Sequence, residues 1–320
     1  MTLANRLVMP PMATAKAEAD GQVSQALLDY YEEKSRGGYI SLIIVEHSYI
    51  TFEGKANNNQ MSLSDDSVIP GLQRLAAVVH RNGSKVAVQI NHAGSAALEE
   101  VTGTKPLAPS ATANPRRGDM PRELTRREIG DIVNAFKEAS RRVRDAGFDA
   151  VEIHSAHGYL LNQFLSPLTN KRTDEYGGDI SNRIRIHLQV IEAVRTAVGA
   201  DFPIQIRLGA SDYVEGGTTI EDSKIAARAF EKTGVDIIHI SGGFIGYSPP
   251  GPAGQGYFAP LSEAIKSAVS VPVILTGGIT EAEAAENLLK EKKADLIGVG
   301  RAILQDSTWA ERAVKILQSK

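Results

Sequence analysis

The chain has 320 residues, 42% of them apolar, which is long enough for a large buried core, and a net charge of −3 that argues against a general nucleic-acid binder. It contains no cysteine, so thiolate nucleophiles, iron–sulfur ligation, cysteine-type zinc sites and disulfides are all excluded. That fits a reducing cytoplasm, no apolar run approaches membrane-spanning length, and Pro10 and Pro11 interrupt the N-terminus before a signal-peptide core can form, so a cytoplasmic protein without a membrane partner is expected.

In chain order, a first β-branched run at Arg6–Pro10 precedes Ser24, which reads as the N-cap of a helix Gln25–Arg36 stopped by Gly37-Gly38. Strand-like runs follow at Ile40–Ser48 and Lys85–Asn91. The next stretch, Ala93–Leu124, is too long for an ordinary βα turn and too rich in Pro, Gly and Thr for a helix, so it predicts a functional capping loop or a disordered segment. Basic Arg116, Arg117, Arg122, Arg126 and Arg127 alternate there with Asp119, Glu123 and Glu128, the pattern of a solvated loop and helix start. Thr125 and Glu128 form a capping box ahead of a helix Ile129–Ala146, which Gly147 ends.

The alternation continues with strands at Ala150–His154, Pro203–Gly209, Ile237–Ser241, Pro272–Thr276 and Asp295–Val299. Helices are expected at Asn182–Val198, Glu221–Thr233, Glu281–Leu289 and Trp309–Leu317, with a second long segment at Gly242–Phe258. Eight βα units without a break in composition predict one closed (β/α)8 TIM barrel, a single domain over residues 1–320. An open doubly wound sheet would carry a phosphate fingerprint after its first strand, where this chain has Pro10-Pro11-Met12.

Side chains alternate along a strand, and the apolar ones must meet the outer helices. That places Val88 and Ile90, Val151 and Ile153, Ile204 and Ile206, and Ile238 and Ile240 outside the barrel. Gln89 and Asn91, Glu152 and His154, Gln205 and Arg207, and His239 and Ser241 then point inward. So many polar groups converging on the C-terminal mouth are costly unless something binds them. The structural alternative is a cluster in which Glu152, Gln205 and Arg207 satisfy one another.

The last two strands end in Thr276-Gly277-Gly278 and in Gly298-Val299-Gly300-Arg301. Glycines there let backbone N–H groups approach an anion, and Arg301 adds a two-pronged cation, so a phosphate site is expected. The pattern does not distinguish one phosphate ligand from another. His154-Ser155-Ala156-His157-Gly158-Tyr159 sets two imidazoles and a phenol within six positions. If the chain turns after Ser155, both rings address one point above the barrel. A metal site is not expected, because no Glu or Cys ligand is nearby and no helical HExxH arrangement exists.

These residues resemble the Old Yellow Enzyme family of flavin-dependent ene-reductases, especially its bacterial short-chain branch. The resemblance covers almost the whole chain. Its most specific stretch is EIHSAHGYLLNQFLSPLTNKRTDEYGGDISNR from Glu152 to Arg183. NRLVMPPM, IIVEHS, QINHAG, IRLGASDY and GVGRAIL flank it.

The resemblance implies an oxidoreductase that uses FMN, with NADPH or NADH as reductant, on a small-molecule α,β-unsaturated carbonyl substrate. It implies that Pro10, Pro11, Met12, Ala13 and His47 line the isoalloxazine, that Gln89 bonds its pyrimidine ring, and that Arg207 lies by its N1 and O2. Gly277, Gly278, Gly300 and Arg301 would hold the phosphate. His154 and His157 would bind the carbonyl oxygen, and Tyr159 would donate the proton.

Five positions depart from the family pattern. Ala13 stands where a Thr or Cys is usual and Ala15 where an aromatic is common. Ser95 and Ala96 replace basic residues, and His47 replaces a small one. The chain stops at Lys320 after a helix, so the C-terminal arginine that some members extend into a neighbour is not expected, and a homo-oligomer stays open. Two other functional readings are carried. One is a flavin-free phosphate-binding barrel lyase or isomerase with His154 or His157 as acid–base. The other is a flavin-binding barrel with little turnover.

Overall fold

The computed structural model describes residues 1–114, 118, 120–244, 246–251 and 254–319. Arg116, Arg117 and Asp119 of the charged cluster therefore lie outside the described residues, as do three positions of the Gly242–Phe258 segment.

Among the described residues ten strands form: β1 Leu7–Met9, β2 Leu42–Tyr49, β3 Lys85–Asn91, β4 Leu107–Ala108, β5 Arg122–Glu123, β6 Ala150–Ser155, β7 Ile204–Gly209, β8 Ile237–Ser241, β9 Val273–Thr276 and β10 Leu296–Gly298. Eight of them close into a barrel in the order β1-β10-β9-β8-β7-β6-β3-β2, while β4 and β5 pair separately. The eight expected strands are the eight barrel strands, with ends displaced by at most two residues.

The alternation read from the sequence holds. Val8, Leu42, Ile44, Ala87, Ala150, Ile237, Ile274 and Leu296 form one cluster that fills the lower barrel interior. Val88, Ile90, Val151, Ile153, Ile204, Ile206, Ile238 and Ile240 belong instead to the larger cluster shared with helix residues such as Leu75, Phe136, Val190 and Phe230. Burying roughly a Val or Ile side chain at each such position contributes about 1.5–3 kcal/mol.

The helices depart from expectation at several points. Asn182–Val198 divides into Ile180–Arg183 and Arg185–Val198. Two outer helices, Ile69–Arg81 and Ala259–Lys266, were not anticipated. The first was legible: Leu72, Leu75, Ala76 and Val79 form its buried stripe, and a proline occupies its first turn. The expectation that Ala93–Leu124 holds no helix is corrected by a single turn at Glu99–Thr102, closed by Gly103 in the left-handed region at φ 67°.

The start of that loop is tied down. The Leu160 N–H donates to the carbonyl of His92 at 3.0 Å, and the Ser95 N–H donates to Gln163 Oε1 at 3.0 Å. Further along, Arg122 grips both oxygens of Glu128 at 3.0 and 2.6 Å, while Thr125 and Glu128 form the expected capping box. Among the described residues no helix is long and apolar enough to cross a membrane.

Candidate active site

Above the apolar plug the barrel interior turns polar. Strand pairing sets Gln89 beside Glu152 and Glu152 beside Gln205, with His154 beside Arg207 and Arg207 beside His239 one layer higher. Gln89 Nε2 donates to Glu152 Oε1 at 2.7 Å, and Glu152 Oε2 lies 2.7 Å from His239 Nδ1. The hydrogen bonds of Glu152 thus go to Gln89 and His239, while Arg207 interacts with it through charge. Both side-chain atoms of Gln205, Arg207 Nε and His239 Nε2 are buried without a hydrogen-bond partner. The mutually satisfied cluster of Glu152, Gln205 and Arg207 is thus not what forms.

At the end of β6 the chain turns as the paired histidines require. His157 adopts φ 59° and Gly158 φ 74°, and a helix begins at Leu160. A left-handed non-glycine residue costs about 1–3 kcal/mol and persists only where the surroundings impose it. Here the turn brings the His154 and His157 rings to 5.0 Å, and the His154 and Tyr159 rings to 5.0 Å. The Ala156 N–H donates to His154 Nδ1 at 3.2 Å, and His157 Nε2 lies 2.7 Å from the Ser241 hydroxyl. Burial, reinforced by the charge of His157, holds the His154 pKa well below the ordinary imidazole value, so the ring is neutral.

One cavity of about 700 Å³ joins every residue picked out as a site candidate. Pro10, Pro11, Met12, Ala13, His47, Gln89 and Arg207 line it together with His154, His157 and Tyr159. Gly277, Gly278, Gly300 and Arg301 line its other end. The size and the mixture of apolar wall with a few aimed polar groups suit a cofactor-sized ligand. A second cavity, about 440 Å³ and bordered by Leu7, Leu289, Trp309 and Leu317, has none of these groups on its walls.

The glycines are needed where they stand. Gly277 and Gly278 have φ 126° and 66°, and a Cβ on either would come within 2.7 Å of a Tyr257 ring carbon. A Cβ on Gly300 would lie 2.9 Å from Met12 Sδ, which ties the phosphate end to the Pro10–Met12 wall. Arg301 donates to the Tyr257 hydroxyl at 3.0 Å. Tyr257 was missed in the sequence because a tyrosine in a Gly- and Pro-rich segment carries no periodic signal.

Glu46 was missed too. It is not among the residues lining the cavity, yet one carboxylate oxygen accepts the Thr14 N–H at 2.5 Å and so ties down the loop after β1. Burial raises its pKa.

The residues fit a flavin mononucleotide. Gln89 has its amide nitrogen engaged with Glu152, so its oxygen is the group left to accept an N–H. The Arg207 guanidinium, buried with an orphaned Nε, calls for an electron-rich partner. The glycine turns with Arg301 suit a terminal phosphate.

Comparisons with known proteins point the same way. The model of the NADH:flavin oxidoreductase / NADH oxidase family matches residues 1–320. The chain is 43% identical over 319 residues to an NADH oxidase of Thermoanaerobacter brockii, covering 98% of this chain but 49% of that protein. It is 40% identical over 310 residues to an NADPH dehydrogenase of Clostridium acetobutylicum, covering 96% of this chain and 89% of the relative. The fold matches the old yellow enzyme homologue of Zymomonas mobilis with TM-score 0.86 and 26% identity, over 99% of this chain and 90% of the other. This chain thus spans about half the length of the first relative and nine tenths of the second.

Proposed function

The chain belongs to the NADH:flavin oxidoreductase / NADH oxidase family, within the Old Yellow Enzyme group, and from that premise we propose that it is an FMN- and NAD(P)H-dependent ene-reductase acting as a single barrel domain. The observation that carries the reading is the shared cavity. Its floor holds a buried arginine whose Nε has no hydrogen-bond partner, its far end a glycine-and-arginine anion site, and its mouth three clustered rings. Bound FMN supplies hydride transfer from NAD(P)H to the β-carbon of an α,β-unsaturated carbonyl compound.

In this reading each residue has a defined task. Pro10, Pro11, Met12, Ala13 and His47 form the wall of the flavin ring, mainly through backbone. Gln89 accepts from its pyrimidine edge, and Arg207 meets the negative charge of its reduced form. Gly277, Gly278, Gly300 and Arg301 hold the phosphate. His154 and His157 hold the substrate carbonyl oxygen and stabilise the charge that develops on it, as preorganised donors do in any oxyanion site. Tyr159, with its ring 5.0 Å from that of His154, delivers a proton to the α-carbon.

The test is direct. Purified protein should carry a flavin spectrum that NADH or NADPH bleaches under anaerobic stopped flow, and an added enone should restore it. A colourless protein that takes up no FMN would refute the reading, as would a reduced flavin that no enone reoxidises.

A further inference from the structure

A third imidazole, His47, stands in the same cavity, and its protonation pattern follows from its neighbours. The Ala56 N–H donates to Gln60 Oε1 at 2.6 Å, and Gln60 Nε2 donates to the His47 carbonyl at 3.1 Å. A backbone donor marks the amide oxygen and a backbone acceptor marks its nitrogen, so the amide has one orientation. That same Nε2 lies 2.8 Å from His47 Nδ1, with Asn91 Nδ2 at 3.4 Å on the same atom. Both are donors only, so Nδ1 accepts, and the proton of the neutral ring sits on Nε2. Burial first, and then the charge of Arg207, lowers the His47 pKa to about 4, so the ring stays neutral at working pH.

The ring lines the cavity, 5.3 Å from the Tyr159 ring and 6.3 Å from that of His154. A carbonyl oxygen has two lone pairs, and in the reading above His154 and His157 occupy both. A third fixed N–H therefore needs a different acceptor, and a ligand without one leaves a desolvated donor unpaired, which is the costly case.

We infer that His47 is a specificity-determining donor, held by Gln60 as its Nε2–H tautomer, which selects unsaturated carbonyl compounds bearing a second acceptor oxygen beside the one held by His154 and His157. The inference rests on the ene-reductase reading. Gln60 is the positioning residue, buried at 3% exposure and not itself among the residues that line the cavity.

The experiment has two arms on the flavin-loaded protein. Long-range 1H–15N spectra of histidine-labelled protein should show His47 protonated on Nε2 and bare on Nδ1 from pH 5.5 to 8.5. A proton on Nδ1 overturns the inference, whatever the protein binds. In the second arm, a cyclic enone and the same ring carrying an acetyl group are titrated into the oxidised protein. Wild type should favour the acetyl compound by about tenfold, the usual worth of one buried hydrogen bond.

Gln60→Glu, which offers an acceptor to Nδ1 and turns the donor away, should erase that ratio while the spectrum reports the proton moving. Gln60→Leu, which removes the pin without adding charge, should narrow it. An unchanged ratio in a Gln60→Glu protein whose tautomer has switched overturns the inference alone. Binding of neither compound overturns the ene-reductase reading as well.

Discussion

The Ala156 N–H donates to Nδ1 of His154 at 3.2 Å, and that contact decides which edge of the imidazole can act. With Nδ1 accepting, the neutral ring carries its proton on Nε2 and offers a donor to the cavity. Burial keeps the ring neutral, so donation needs no protonation step. His154→Leu should weaken a carbonyl or phenol ligand by roughly tenfold or more, the range for one buried hydrogen bond of about 1.5 kcal/mol. His154→Gln places an amide nitrogen at similar reach and should recover part of the loss. Flavin-spectrum titrations read both, and equal affinities for Leu and Gln variants would remove the donor role.

Tyr159 separates the two halves of the reaction. Its hydroxyl is proposed to serve the substrate and not the nicotinamide. Tyr159→Phe should leave flavin reduction by NAD(P)H within a few-fold of wild type and slow reoxidation by an enone about 10²–10⁴-fold. Single-turnover stopped flow measures the halves independently. Equal slowing of both would show that the phenol shapes the cavity instead of donating a proton.

The phosphate end makes a third claim. Gly277→Ala sets a methyl group 2.6 Å from a Tyr257 ring carbon at φ 126°, a backbone conformation that L side chains rarely adopt. Arg301→Ala removes a charged donor, worth about 1.5–3 kcal/mol to an anion, though exposure and salt reduce this. Each should raise the FMN dissociation constant by about tenfold or more, measured by quenching of flavin fluorescence. Arg301→Ala should also flatten its dependence on ionic strength. Binding of riboflavin, which has no phosphate, should be weakened by Gly277→Ala less than that of FMN, and by Arg301→Ala hardly at all.

Much of this was legible in the sequence because strand period and barrel geometry leave few choices. Gln89, Glu152, His154, Arg207 and His239 had to face inward once Val88, Val151, Ile153, Ile206 and Ile238 were assigned to the helices. The turn that joins His154 to His157 was stated only as a condition, since no rule of pattern requires φ 59° at a histidine. Tyr257 and Glu46 stayed hidden for different reasons. One reaches the site from a long irregular segment, and the other acts through a backbone N–H that the sequence does not display. The Gln60 contact to His47 spans 13 positions across a loop, beyond any local periodicity.

Acid should unfold this protein early, and the direction follows from its buried histidines. Burial lowers the pKa of His47 and His92 to about 4 and that of His187 to about 3. Each folded value lies below the unfolded value of about 6.5. Between the two, the unfolded chain binds a proton that the native ring refuses, so stability is complete above about pH 6.5 and drains as pH falls. One group removes about 1.4 kcal/mol per pH unit in that window. Three together remove about 4 kcal/mol per unit, a large share of the 5–15 kcal/mol typical of a domain.

His187 provides the cleanest check, because it stacks on Phe230 at 5.3 Å and meets the Ser155 hydroxyl at 2.9 Å outside the cavity. His187→Gln should be less stable than wild type at pH 7, having lost the stacking. Its stability should nonetheless fall less steeply between pH 6.5 and 4.5, by the share of one such group, about 1.4 kcal/mol per pH unit, as read from urea midpoints. Parallel pH profiles at fixed flavin concentration would mean that His187 is protonated in the native state, contrary to its burial.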